Sequence, residues 1–397
     1  MRSLVFIIAL LLLPGLAFGD NALSRPMTEQ TRSKLQKAYS CIKNNQPECA
    51  RTILSRYMEN STRPHPFGIL LYGSLLMEQN QLQEAAQILE RGYADFPQCR
   101  QIVHNLAVVR YEQKEFTKAG ELFLKSCLLT KKPAHNTRYQ AATCFFQAKK
   151  YAQAYDVTKP LLGLKTVKPD WVRLAAHSLI LLKRWPEAER TLIHFLRRSP
   201  TEHAYWKLLA NIRMQRKHYK KAAAALEIAY RIAQPTALER RTLSQLYLYI
   251  NAPLLAAHAL EGSFTHTPSP KVCDQLAQAY LTAGRTKQAL DMLDKAMALE
   301  KTPERSLIKG RILYAKRRYP EAIAALRQAV QLNDKTGLAN YLLGMIFWEQ
   351  KQWDEARHWF QSAEKFKHHA RHATRAINAI NAMEESSRQS NLPFDAS

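Results

Sequence analysis

The chain has 397 residues, with 58 Lys and Arg against 33 Asp and Glu and a formal net charge of +25. Only 12 glycines and 18 prolines interrupt a composition rich in Ala, Leu, Lys, Arg and Gln, which favours helix nearly throughout. Six cysteines are too few to frame a disulfide-stapled miniprotein, and neither a CxxC pair nor a zinc-like Cys/His spacing occurs.

In chain order, residues 1–19 read as a secretory signal peptide. Arg2 gives the positive start, Leu4 to Leu16 an apolar stretch, and Ala17-Phe18-Gly19 the small residues of a cleavage site. The stretch is shorter than the roughly 20 apolar residues of a spanning helix; an uncleaved inner-membrane anchor is the alternative. No second long apolar run follows, so an exported, periplasmic chain is expected. In a cytoplasmic protein the charge would point to nucleic acid. Outside the inner membrane the counter-charges are anionic lipid headgroups, acidic wall polymers and acidic protein segments. No nucleic-acid partner is expected, and most single Lys and Arg side chains are read as solvated.

Residues 20–64 form a degenerate helix hairpin carrying Ala38, Ala50 and Leu54. From 65 to 370 the chain repeats nine times. Small residues that open a second helix stand at Ala85, Ala119, Ala154, Ala188, Ala222, Ala256, Ala289, Ala322 and Ala356, 33 to 35 residues apart. Twelve residues before each lies another small residue: Gly73, Ala107, Ala142, Ala176, Ala210, Ser244, Ala277, Gly310 and Gly344. Four residues after each lies a large one, from Leu89 and Phe123 to Leu326 and Phe360, with Thr158 the weak member. Small residues let two helices approach and the large residue fills the space between them. Each hairpin has an apolar face it cannot bury alone, so neighbours must stack. "KRWPEAERTL" at 183–192 and "RRYPEAIAAL" at 317–326 are then the same turn, with an aromatic at the hairpin tip and proline in the first turn of the second helix.

A helix-turn-helix unit of 34 residues with Gly/Ala, Ala and Phe/Leu columns resembles the tetratricopeptide repeat. Unit 337–370 carries Leu343-Gly344, Phe347, Ala356, Phe360 and Ala363; unit 66–99 carries Gly73, Ala85, Leu89 and Pro97. The resemblance implies an all-α fold: a right-handed α-solenoid of about ten hairpins, a C-terminal capping helix at 371–390 and a frayed tail at 391–397. The stretches 246–261, 309–326 and 341–366 also resemble exported tetratricopeptide proteins that accompany TonB-type energy-transduction systems. That resemblance implies an accessory scaffold in an envelope transport complex.

No GxSxG, HExxH, Walker A loop or GxGxxG occurs, so no catalytic residue is nominated and neither cofactor nor metal is expected. His368, His369 and His372 cluster on a basic terminal helix without carboxylates and are read as surface histidines. Antiparallel hairpins bring Cys41 close to Cys49, and Cys99 close to Cys127; both pairs are expected to bridge, with buried free thiols as the alternative. Cys144 and Cys273 are assigned to the core.

Binding falls to the wall formed by the first helix of each hairpin. Its positions 5 and 9 give Arg173, Lys207 and Arg241, with His177, Asn211 and Gln245 one turn along. Residues 159–241 hold 18 Lys and Arg against 6 Asp and Glu, about half of the net excess in a fifth of the chain. A cation ladder with nearby amides suits an acidic peptide or a terminal carboxylate. Lys207, Asn211 and Lys271 resemble a carboxylate-clamp pattern, whereas Thr242 and Gln275 depart from it. A simply solvated wall is the alternative, and binding of the whole basic surface to anionic lipid or wall polymer is another. Phe67, Leu70, Tyr111, Tyr139 and Phe146 offer aromatic or apolar anchors, or core.

Overall fold

Among the described residues eleven helix-to-helix turns close on one residue in the left-handed backbone region; Asn333, with φ 68°, closes the connection between two hairpins, and the other ten lie inside hairpins. Asn45, Asn80, Lys114, Lys149, Lys183, Lys217, Asn251, Arg317 and Lys351 have φ between 56° and 62°, and Gly284 has φ 72°. Each stands five residues before a buried alanine. The N–H of the next residue then reaches back to the carbonyl five positions earlier, as in Gln81 to Leu76, Lys150 to Phe145 and Arg285 to Tyr280, all at 2.8 Å. This is the Schellman closure, which satisfies the last carbonyls of the first helix and redirects the chain.

The computed structural model describes residues 23–262 and 268–390, without the side chains of 386–390. The expected signal peptide and the terminal tail lie outside the described residues. Among the described residues there are 21 helices and no strand. The chain divides into two compact units, 1–218 and 219–397.

The first unit holds α1 (Glu29–Lys43), α2 (Pro47–Glu59), α3 (Pro66–Glu78), α4 (Leu82–Asp95), α5 (Arg100–Glu112), α6 (Phe116–Leu128), α7 (His135–Gln147), α8 (Tyr151–Leu162), α9 (Pro169–Leu181), α10 (Trp185–Arg198) and α11 (His203–Gln215). The second holds α12 (Tyr219–Ile232), α13 (Ala237–Tyr249), α14 (Pro253–Glu261), α15 (Pro270–Thr282), α16 (Thr286–Leu299), α17 (Pro303–Ala315), α18 (Tyr319–Gln331), α19 (Leu338–Glu349), α20 (Trp353–Glu364) and α21 (Ala370–Ser390). Within each unit, consecutive helices pack side by side.

The three columns are the core. All nine members of each column are buried, the alanines that open the second helices completely so. A Cβ added at Gly73, Gly310 or Gly344 would come within 2.9, 2.6 and 2.6 Å of Leu89, Leu326 and Phe360. The first small residue therefore faces the large residue of its own hairpin. Thr158 donates to the Ala154 carbonyl at 2.7 Å, so its hydroxyl is satisfied in the core. At three tips the first residue of the second helix meets an aromatic five positions earlier, edge to face. Tyr111–Phe116, Phe146–Tyr151 and Trp348–Trp353 have ring centroids 5.5, 5.4 and 5.6 Å apart.

Cys41 and Cys49 are joined by a disulfide between α1 and α2, with Cα atoms 5.9 Å apart. The expected bridge between Cys99 and Cys127 is not formed. Cys99 is the N-cap of α5 and its thiol approaches Gln101 Oε1 at 3.8 Å. The Cys127 thiol turns instead toward the Ala134 carbonyl at 3.8 Å. Nearby helix ends did not give the two side chains a common direction. The Cys41–Cys49 loop is short, so closing it is expected to stabilise the α1–α2 hairpin by about 2.5 kcal/mol. Cys41→Ser/Cys49→Ser should raise hydrogen exchange across 29–59 and leave residues 100–215 unchanged; equal exchange in both forms would refute this.

Candidate functional site

Helix α9 places Arg173 and His177 one turn apart on one face, and α11 repeats the placement with Lys207 and Asn211 34 residues later. Arg173, His177 and Asn211 are exposed, and Lys207 is half-buried. Arg173 pairs with Asp170 at 2.6 Å. Both partners lie open to water, where such a pair contributes little and a competing carboxylate can displace it. Although His177 reaches water, partial desolvation of its ring, reinforced by the Arg173 charge, holds the imidazole below its ordinary 6.5. At neutral pH His177 is therefore an uncharged donor and acceptor, like the amide of Asn211.

Tyr205 is buried on α11, within the electrostatic reach of α9 and α7. It feels the charges of Arg173 and Asp170 on α9, Glu202 beside it, and the phenol of Tyr139 on α7. Burial is the main cause that pushes its phenol up to about 12, so it stays protonated. Its ring packs on Phe195 at 4.9 Å. Trp171 occupies the same register on α9 and lies under Lys168, whose Nζ is 5.6 Å from the ring centroid and donates to Asn136 at 3.1 Å. Neither Tyr205 nor Trp171 is nominated by the sequence reading. Their shared third position, 34 residues apart, was the available signal.

The other nominated residues lie in the second unit: Arg241 and Gln245 on α13, Lys271 on α15. Gln245 and Lys271 are exposed. Arg241 is half-buried, and its Nε is shielded from water without a hydrogen-bond partner. Thr242 donates to the Leu238 carbonyl of its own helix at 3.0 Å, and Gln275 Oε1 is buried without a partner. Asp274, at position 5 of its hairpin, is held by Arg305 through Nε and Nη2, each at 3.0 Å. The first unit holds Arg173 and His177 on α9 and Lys207 and Asn211 on α11; the second holds Arg241, Gln245 and Lys271.

Of the anchor residues, Phe67 and Leu70 are core, at 3% and 5% exposure. Tyr111 and Phe146 are engaged at hairpin tips, and Tyr139 is half-buried beside Tyr205. His369 stacks on Tyr341 at 5.4 Å and His372 meets the same ring at 6.4 Å. No metal-holding group of His, Cys, Asp or Glu occurs among the described residues. No helix among them is long and apolar enough to cross a membrane. The wall offers cations and neutral hydrogen-bonding groups in a repeating register, which is chemistry for holding carboxylates.

No curated protein matches the chain significantly. Solved structures with the same repeat type include the C-terminal part of a TPR repeat-containing protein from Cytophaga hutchinsonii, at 16% identity, 60% of this chain, 99% of that one and a TM-score of 0.41. A tetratricopeptide repeat protein from Parabacteroides merdae is 16% identical over 64% of this chain and 99% of its own, with a TM-score of 0.38. MamA is 18% identical over 40% and 93%, with a TM-score of 0.35. Scores this low leave the assignment to the sequence models. A model described as anaphase-promoting complex, cyclosome, subunit 3 matches residues 119–195. The tetratricopeptide repeat model matches residues 70–136, 174–237, 275–335 and 307–370. That match spans more than half of the 397 residues, so the chain belongs to the tetratricopeptide repeat family.

Proposed function

We propose that the protein is a non-enzymatic scaffold that binds an acidic or carboxylate-bearing protein segment along the first-helix wall. The observation that carries the reading is the repeated pair on α9 and α11: Arg173 with His177, then Lys207 with Asn211. An extended segment crossing the two helices would meet one cation and one neutral donor on each. Export to the periplasm is part of the reading, supported by the leader pattern at 1–19. So is an accessory place in a TonB-type envelope complex, supported by the resemblance of 246–261, 309–326 and 341–366.

The test is photo-crosslinking in intact cells, with the probe at Asn211 on the wall and a control at Gln87 on α4; both residues are exposed. A discrete protein adduct at 211 and none at 87 is expected. Lys207→Glu should cut the adduct at least about tenfold, because a like charge replaces the cation facing the acidic segment. An envelope protein in the adduct supports the TonB association, and a cytoplasmic one sinks it. No adduct at 211 sinks the wall as a binding site.

A second reading has its own observation. Lys114, Lys149, Lys183 and Lys217 are exposed at successive left-handed turns, 34 or 35 residues apart, a periodic row of cations at hairpin tips. Such a row suits an anionic lipid surface or wall polymer. Binding would then fall steeply with salt, and single substitutions on the wall would change little.

A further inference from the structure

A second basic feature lies away from the wall, in a cleft of about 500 Å³ between α8, the 163–167 connection and α10. Its floor is apolar: Tyr155, Val172 and Phe195 are buried there, with Leu162 half-buried at the edge. Its rim is cationic. Lys159 comes from α8 and Lys165 from the connection, while α10 contributes Arg190, His194 and Arg198, each one turn beyond the last. Thr166, Thr191 and Ser199 add hydroxyls, and no Asp or Glu lines the cleft.

The nearby carboxylates stand outside the lining. Asp170 pairs with Arg173, Glu187 with Arg184 while also feeling Arg190 and Lys159, and Glu189 with Arg213 and Arg216; Asp156 of α8 is exposed. Among the described residues the rim cations make a single hydrogen bond, a long one of 3.4 Å from Arg198 to the Leu164 carbonyl. Helix dipoles do not account for the charge. The C-termini of α8 and α10 end here, and each presents about half a negative charge. Four full positive charges more than cover them, and Arg190 stands two turns upstream of the α10 terminus, beyond the dipole's reach.

We infer that this cleft binds a phosphate monoester joined to an apolar group. A doubly charged phosphate offers three acceptor oxygens to the arginine forks, lysines and hydroxyls of the rim. The apolar body covers Tyr155, Val172 and Phe195. A soluble aryl or alkyl phosphate and a monoester lipid headgroup share this chemistry. The site is independent of the proposed wall, which uses α9 and α11 residues that do not line the cleft.

The experiment uses the full chain with two probes: phenyl phosphate in titration calorimetry, and phosphatidylcholine vesicles with and without phosphatidic acid in co-sedimentation. Arg190→Glu is the cleft variant. Lys37→Glu, at an exposed position of α1 outside the lining, carries the same charge change as control. Binding weakened at least tenfold by Arg190→Glu and less than twofold by Lys37→Glu is expected. Phenyl phosphate bound in that pattern without vesicle binding assigns a soluble organic phosphate. Vesicle binding in that pattern, dependent on phosphatidic acid, assigns a lipid. Equal losses in both variants, or no binding to either probe, overturn the inference.

Discussion

Phe360→Ala is expected to destabilise the second unit by about 4 kcal/mol. Phe360 is the bulkiest fully buried side chain in the described protein, at 0% exposure. It sits against the backbone of Gly344 and beside Tyr341 and Trp348, with ring centroids 5.7 and 6.3 Å away. Truncation leaves a cavity that these rigid neighbours cannot fill by small shifts, so the transfer and cavity terms add. In a repeat protein each hairpin contacts its neighbours, so the loss should appear first in α19–α21. Trp348 and Trp353 pack at 5.6 Å in the same hairpin, and hydrogen exchange across 338–390 during denaturant unfolding separates this region from the first unit, whose Trp171, Trp185 and Trp206 also fluoresce. A loss under 1 kcal/mol would mean that the large-residue column does not hold the hairpin.

The column pairing makes a stricter demand. Gly344→Ala puts a methyl 2.6 Å from the Phe360 ring, an overpacking that costs about 1–3 kcal/mol. Phe360→Leu alone leaves a smaller void. Together the two changes produce the Ala–Leu combination that the sequence already carries at Ala176 with Leu192 and at Ala277 with Leu293. The double variant should therefore be more stable than the sum of the singles by at least about 1 kcal/mol. Strict additivity would show that Gly344 is small for some reason other than Phe360.

These columns were legible because packing fixes them: two helices of one hairpin approach only where a small residue faces a large one, at constant spacing. The turns were not. Glycine normally marks a left-handed helix end, and among the described residues only Gly284 does so, while five of the turns use lysine. A lysine in that conformation costs about 1–2 kcal/mol and leaves no compositional trace. Its phase was available, five residues before each column alanine. The cysteine pairs show the same limit. Spacing along antiparallel helices brought Cys41 and Cys49 within bonding distance, yet for Cys99 and Cys127 it said nothing of where the side chains point. At the wall, helical periodicity placed Arg173 and His177 on one face, and likewise Lys207 and Asn211. It could not show that Asp274 is held by Arg305, because that tie joins different hairpins. The division after His218 is also silent, since the turn at Lys217 has the same φ as its neighbours.

Ties between hairpins carry the other large effect, at Glu189. This carboxylate is on α10 and only 7% exposed. It accepts from Arg213 Nε at 2.9 Å and from Arg216 Nη1, both on or just beyond α11. Burial alone would raise its pKa, but the two guanidiniums outweigh burial and hold it below the ordinary 4.5. Glu189→Gln keeps the shape and removes the charge, leaving two arginines facing a neutral amide in a water-poor site. Breaking one side of such a cluster costs about 3 kcal/mol at neutral pH. The depressed value fixes the pH dependence. The unfolded state binds the proton more readily than the folded state, so the contribution is fully present above 4.5 and is lost as pH falls through the folded value. Denaturant midpoints of the two proteins should thus stay a constant distance apart from pH 7 down to about 5 and converge below it. The comparison cancels every other titrating group, because both proteins share them. A gap that stays constant into the acid range would assign the loss to packing of the α10–α11 contact, and the charge cluster would then be a passenger on it.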